Sequence, residues 1–253
     1  MSITASELKV YGSVNMPTGD STTAGGAIDT TTRIIFDSAT IANSFGPYPV
    51  AVVSTLADTQ NVVVYGRNVG GAIVTEQITL AGTAPVTGAV AFDRILMVDF
   101  LTSHNGTVTV RQGGGSFTTL ATMESGVDTL RRPFYNVVAD AAGGTNKVLF
   151  EKMFVKNTNS TLTLTSATLS GSSAGLGTIT TFALESGYNS SQSVANRLTV
   201  PTGTTTFDNA VKNIIDGTLP AGSGAPVWLR LQLDAGTSPQ LGTYTLTING
   251  NTT

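Results

Sequence analysis

The chain has no cysteine, one histidine and one tryptophan among its 253 residues. Without cysteine there is no disulfide and no thiolate metal centre. With His104 as the sole imidazole, a zinc site would need several carboxylates, an uncommon ligand set. Charge is also scarce: Asp, Glu, Lys and Arg together make up 11% of the chain, against roughly 25% in an ordinary soluble domain. The net charge is -3, and Arg131-Arg132 is the only adjacent basic pair. Nucleic-acid binding calls for clustered Lys and Arg, so it is not expected. No apolar run approaches the roughly 20 residues that span a bilayer. The opening Met1-Ser2-Ile3-Thr4-Ala5-Ser6-Glu7 has neither a basic nor an apolar stretch, so no secretory signal is expected. The chain is expected to fold in the cytoplasm of the cell that makes it.

What is present is threonine, about one residue in six, alternating with apolar residues. Hydrophobic residues make up 40% and the mean hydropathy is +0.17. A real core can therefore form, and pervasive disorder is not expected. Asn61 to Tyr65 is a β-branched run. A polar turn, Arg67 to Gly71, leads into Ala72 to Leu80, where Ile78 and Leu80 share one face and Thr75, Gln77 and Thr79 the other. Period-two alternation around a Gly-rich turn predicts a hairpin. Val86 to Val90 and Thr107 to Arg111 read as further strands, and Phe92 to Leu101, which fits either a strand or a short helix, is read as a strand because turn signals bound it on both sides. In the second half Lys147 to Val155, Thr161 to Leu169 and Thr178 to Leu184 read as strands, with Ser170 to Gly177 as a loop.

One segment predicts a helix. Thr206 is an N-cap and Asp208 stands in the first turn. Phe207, Val211, Ile214 and Ile215 follow a helical spacing, and Gly217 is the stop. The last predicted hairpin pairs Val227 to Leu233 with Thr243 to Ile248 across a turn at 234–242. Val227, Leu229, Leu231 and Leu233 face one way, and Trp228, Arg230 and Gln232 the other. Tyr244, Leu246 and Ile248 complete the core face, and Thr243, Thr245 and Thr247 the outer one.

These elements predict an all-β protein, an antiparallel β-sandwich of jelly-roll or immunoglobulin-like type with one short helix. A boundary at Pro133 divides it into a domain at 1–132, with Met1 to Ile28 as a docking arm, and a domain at 133–253. The alternative is one continuous sandwich in which this stretch is a crossover.

No catalytic motif is visible, and neither an enzyme nor a cofactor is expected. No serine lies in a Gly-x-Ser-x-Gly elbow, and His104 reads as a solvated turn histidine. Glu7, Glu76, Glu124, Glu151 and Glu185 are scattered, without the facing pair or aromatic platform of a glycosidase. Asp20, Asp29, Asp37, Asp58 and Asp234 lie in or beside loops without EF-hand spacing. They read as turn formers that cap backbone N–H groups. Gly25-Gly26, Gly70-Gly71 and Gly113-Gly114-Gly115 read as turns, because none opens a helix with a Lys-Ser/Thr ending. Trp228, on the polar side of its strand, is either a ligand-binding residue or one covered by a second sheet, the other domain or a neighbouring subunit. Trp228, Arg230 and Tyr11 are the candidate partner contacts.

Ser6 to Pro17, the following Gly25-Gly26-Ala27-Ile28-Asp29, and the segment from Tyr65 through Leu80 to Gly88 resemble structural proteins of tailed bacteriophage virions. The resemblance extends from the N-terminal stretch to the neighbourhood of Val110. It implies a non-enzymatic assembly role, foremost as a capsid decoration or cement protein, alternatively as a neck, tail or fibre component including a glycan-binding adhesin. Implied with it are the major capsid protein or other virion proteins as partners, a homo-oligomer, and location in the virion. An uncharged outer face suits such packing, since burying unpaired charges costs several kcal/mol each.

Overall fold

The computed structural model describes residues 2–35, 47–113, 118–137, 144–174, 178–236 and 243–252. Asp37, Gly114, Gly115 and most of the turn at 234–242 lie outside them. The protein is all-β, with several antiparallel sheets, and residues 129–131 pair in parallel with 32–34. Among the described residues the only helical segments are two three-residue 3-10 turns, Ala5–Glu7 and Ile215–Gly217.

The chain forms two compact units. The first comprises Met1–Asp29 with Asn136–Thr253, and the second Thr30–Tyr135. The sequence places a single cut at 132/133. The N-terminal residues instead group with the C-terminal half, because β1 (Leu8–Asn15) pairs with a strand that follows the second unit in sequence, Leu8 opposite Asn157. The expected docking arm is thus an interior strand. β2 (Ala24–Ile34) contributes its first half to the first unit and its second half to the second.

The second unit is a sandwich. Its strands are β3 (Val50–Ser54), β4 (Asn61–Arg67), β5 (Ile73–Thr79), β6 (Val86–Thr87), β7 (Arg94–Phe100), β8 (Val108–Gln112), β9 (Thr119–Met123) and β10 (Thr129–Arg131). One sheet runs β10-β7-β4-β5 from the end of β2, and the other runs β6-β3-β8-β9. The predicted hairpin is present as β4–β5, with Ile78 and Leu80 buried and Thr75, Gln77 and Thr79 exposed. Phe92 to Leu101 contains a strand as expected, whereas the strand expected over Val86 to Val90 shrinks to Val86–Thr87. Between the sheets lies one apolar cluster, including Val52, Val64, Ile95, Val98, Phe100, Val110 and Met123. Each such side chain contributes on the order of 1.5–3 kcal/mol on burial.

The first unit continues with β11 (Lys147–Asn157), β12 (Leu164–Ala174), β13 (Thr178–Leu184), β14 (Ser193–Val194), β15 (Lys212–Asn213), β16 (Thr218–Leu219), β17 (Gly224–Leu233) and β18 (Thr243–Thr252). One sheet runs β13-β17-β11-β1-β2, with β14 on β2. The other centres on β12, flanked by β18 and by the short β15 and β16. β12 continues to Ala174, through residues expected to be loop.

Two further expectations fail for physical reasons. The strands of the final hairpin exist, but they do not pair with each other. β17 is buried on both faces, so it takes a central place with β11 on one side and β13 on the other. β18, half-buried on its Tyr244, Leu246 and Ile248 side and exposed at its threonines, pairs with β12 instead. The helix at 206–217 does not form either. Phe182 and Asp208 exchange backbone hydrogen bonds, and the Asp208 carboxylate accepts the Ala210 N–H and pairs with Lys212. Such local carboxylate-to-backbone bonds compete with helix. The apolar residues then separate: Ile214 is fully buried while Val211 is 69% exposed.

Candidate functional site

β11 reads Val148-Leu149-Phe150-Glu151-Lys152-Met153-Phe154-Val155, an apolar run interrupted by two charges, both buried. The register sets Lys152 opposite Trp228 of β17, which is in turn opposite Ala183 of β13. Glu185, the residue immediately after β13, completes the group. Its carboxylate accepts the Trp228 indole N–H and lies 3.0 and 3.1 Å from the Lys152 ammonium. Lys152 also donates to the carbonyls of Ser190 (2.9 Å) and Gln192 (3.1 Å). All three ammonium hydrogens therefore have acceptors. The rings of Phe154 and Trp228 lie 5.0 and 5.8 Å from the ammonium. Burial pushes the Lys152 amine below its ordinary value, and Glu185 opposes that shift.

Glycine explains how the indole fits. Gly25 and Gly26 lie inside β2 at φ +93° and +96°, where they were expected to be turns. A Cβ at Gly25 would stand 2.8 Å from the Trp228 ring and 2.7 Å from the Gln192 carbonyl. Trp228 is fully buried against Ala24 and Phe150 within its own unit.

A second polar group lies along the same strands. The Asp20 carboxylate takes Lys147 at 2.5 Å and Arg197 at 2.6 Å, and Arg197 reaches Glu151 at 3.7 Å and the Asn136 amide oxygen at 2.7 Å. Burial would raise Asp20, but the hydrogen bonds from Lys147 and Arg197 outweigh it and hold the carboxyl below its usual range. Beside Glu185 opens a cleft of about 370 Å³ lined by Ser186, Thr204, Thr205, Asn213 and Asp216. Glu185 already serves Lys152 and Trp228, so the polar groups left to the cleft are three hydroxyls, the Asn213 amide and the Asp216 carboxylate, beside apolar Leu184 and Ile215.

In the second unit, Asp58 ties a loop end together. It accepts the Ser54 hydroxyl (2.6 Å) and the N–H groups of Asn105 (3.0 Å) and Gly106 (2.8 Å). This is the turn-capping role expected of it. Burial opposes ionisation here, yet these bonds and the adjacent His104 hold Asp58 below the ordinary aspartate value. His104 is in a turn but is not solvated. It is buried, with one ring nitrogen 2.7 Å from the Gly106 carbonyl and the other 2.8 Å from that of Val127, and its ring packs on Phe100.

The three candidate contact residues do not converge on one surface. Trp228 is wholly enclosed by its own chain and presents no ring to a partner. Tyr11 is buried beneath Lys156, whose ammonium lies 5.9 Å from its ring. Arg230 is half-buried and donates to the Gln232 side chain. Lys152, Glu185 and Arg197 were not foreseen; the legible signal was the Glu-Lys pair inside an apolar strand. Two open strand faces are polar and uncharged, Thr243, Thr245 and Thr247 on β18 and Thr75, Gln77 and Thr79 on β5, while Val69, Ile73, Leu101, Val200 and Val211 are exposed apolar side chains elsewhere.

No protein-family model matches the chain, and comparison with curated proteins finds no match either.

Proposed function

We propose that the protein is a non-enzymatic structural component of a tailed-phage virion, foremost a decoration or cement protein bound to the major capsid lattice. One observation carries this reading: several of the few charges are drawn inside and paired there, leaving threonine-lined strands outside. Lys152, Glu185, Glu151, Arg197 and Asp58 are all buried. An exterior of hydroxyls desolvates at far lower cost than ions when it packs against other subunits. The partners are the major capsid protein or other virion proteins, and the place of action is the assembled particle. Among the described residues no helix is long and apolar enough to cross a membrane.

The test is quantitative mass spectrometry of particles purified from the natural source. Copy number comparable to the major shell protein is expected. Absence from particles overturns the reading, and a few copies per particle moves the protein to the neck, tail or fibre. That second reading, including a glycan-binding adhesin, is favoured by the cleft beside Glu185, where hydroxyls, the Asn213 amide and the Asp216 carboxylate stand beside apolar Leu184 and Ile215. It expects saturable glycan binding that is lost when Asn213 and Asp216 are changed to alanine.

A further inference from the structure

We infer that the cleft beside Glu185 binds an amino sugar, a polyhydroxylated ring carrying a protonated primary amine, and that Asp216 holds the ammonium. The inference deepens the glycan-binding reading and rests on it; what it adds is the charge of the ligand.

The charges around the cleft leave one anion over. Glu185 lines it, but its carboxylate is matched by Lys152. Lys212, adjacent in sequence to the lining residue Asn213, is taken by Asp208. Asp216 stands exposed in the lining, and its carboxylate makes no hydrogen bond or ion pair among the described residues. No lysine or arginine stands among the described residues that line the cleft. A cationic ligand therefore meets attraction with no competing positive group, and an anionic one meets repulsion.

The position of that carboxylate is set by the backbone. Asp216 has φ +53°, a left-handed conformation uncommon outside glycine but tolerated by aspartate. The Gly217 N–H closes the turn on the Ile214 carbonyl (2.5 Å). The Tyr188 hydroxyl lies 2.8 Å from the Ile215 carbonyl and 2.8 Å from the Thr218 hydroxyl, so the chain is held on both sides of Asp216. An acceptor fixed before its ligand arrives loses less freedom on binding. The side chains of Ser186, Thr204 and Asn213 are likewise unengaged among the described residues, whereas Asn157, Asn159, Asn189 and Asn209 all use theirs within the fold. Leu184 and Ile215 supply apolar surface for the C–H face of a sugar ring. A few convergent polar groups beside apolar atoms are what a small polyol needs, and the lone carboxylate fits its amine.

The test compares three disaccharides that differ at one position of each ring: a glucosamine dimer with free amines, its N-acetylated form, and cellobiose, which carries a hydroxyl there. Binding to the full chain is followed by NMR shifts of the backbone amides of 184–186, 203–205 and 213–216, in mildly acidic buffer where the amines are protonated. The free amine is expected to bind about tenfold tighter than either of the others, the effect of one hydrogen bond to a charged group. Asp216→Asn keeps the shape and tolerates the left-handed turn but removes the charge. It should abolish that preference and leave the thermal midpoint unchanged, since the carboxylate holds nothing in the fold. Equal affinity for all three overturns the inference and leaves the glycan reading standing. So does a preference that survives Asp216→Asn. Spermidine binding as tightly as the amino disaccharide takes the sugar out of the assignment and overturns it too. No shift with any of these probes at millimolar concentration overturns both the inference and the glycan reading.

Discussion

The two units fill their interiors by different means. In the second unit a continuous apolar cluster runs between both sheets, and Asp58 with His104 knots the loops at one end. In the first unit the sheet face around β11 and β17 carries a lysine, a glutamate and a tryptophan in direct contact. Apolar packing is non-directional and tolerates rearrangement, whereas an ammonium with three acceptors admits one arrangement. Lys152 therefore specifies where the 185–192 segment must lie, since it holds the carbonyls of Ser190 and Gln192 directly. The first unit gains definition in its loops and becomes vulnerable to loss of a single partner.

That contrast can be broken deliberately, with hydrogen exchange of peptides from each unit as the readout. Lys152→Ala leaves Glu185 buried without its cation and should destabilise the first unit by about 3–5 kcal/mol. Combining Lys152→Met with Glu185→Gln should recover more than half of that loss, because the amide oxygen still accepts from Trp228. Recovery of less than half would show that the charges themselves hold the segment. In the second unit Ile95→Ala should cost about 2–5 kcal/mol through cavity formation, with β4 and β7 exchanging first. Gly25→Ala meets both a positive φ and the indole ring, and should cost the first unit more than about 1 kcal/mol.

Asp58 supplies a test by pH. Its folded value lies below the ordinary aspartate value, so its contribution is fully present above that ordinary value and is lost as pH falls through the folded one. Acid melts of the second unit should show this decline, and Asp58→Asn should abolish it while costing about 1–3 kcal/mol near neutrality. The smallest effect is expected from Thr245→Asp, on an exposed face, within about 0.5 kcal/mol for folding.

Alternation in the sequence identified strands well and their partners poorly. Ile78 and Leu80 against Thr75, Gln77 and Thr79 correctly gave the faces of β5, because the preceding strand in the chain was also its neighbour in the sheet. In the closing region the same logic failed. The residues opposite the Leu229 and Leu231 face include Trp228, and a strand buried on both sides needs neighbours on both edges. Chain proximity then loses to the demand for burial, and β18 goes to β12. The 206–217 segment had helical spacing, but Asp208 found closer partners in Phe182, Ala210 and Lys212. The buried cluster was legible only in part. Glu151-Lys152 within an apolar run signalled buried charge, but Glu185 and Gly25 are joined to it solely by the sheet register.

The separation of β1 from β11 along the chain sets an order of events during synthesis. The Leu8 to Asn157 pairing brackets the entire second unit, so translation must pass Asn157 before β1 can dock along its full length. Thr30–Tyr135 has all of its own sandwich strands by then. Closing so long a loop is slow relative to local pairing. Chains released after truncation near residue 140 should therefore carry a folded second unit, while β1, beside β2, waits for a β11 strand that never arrives.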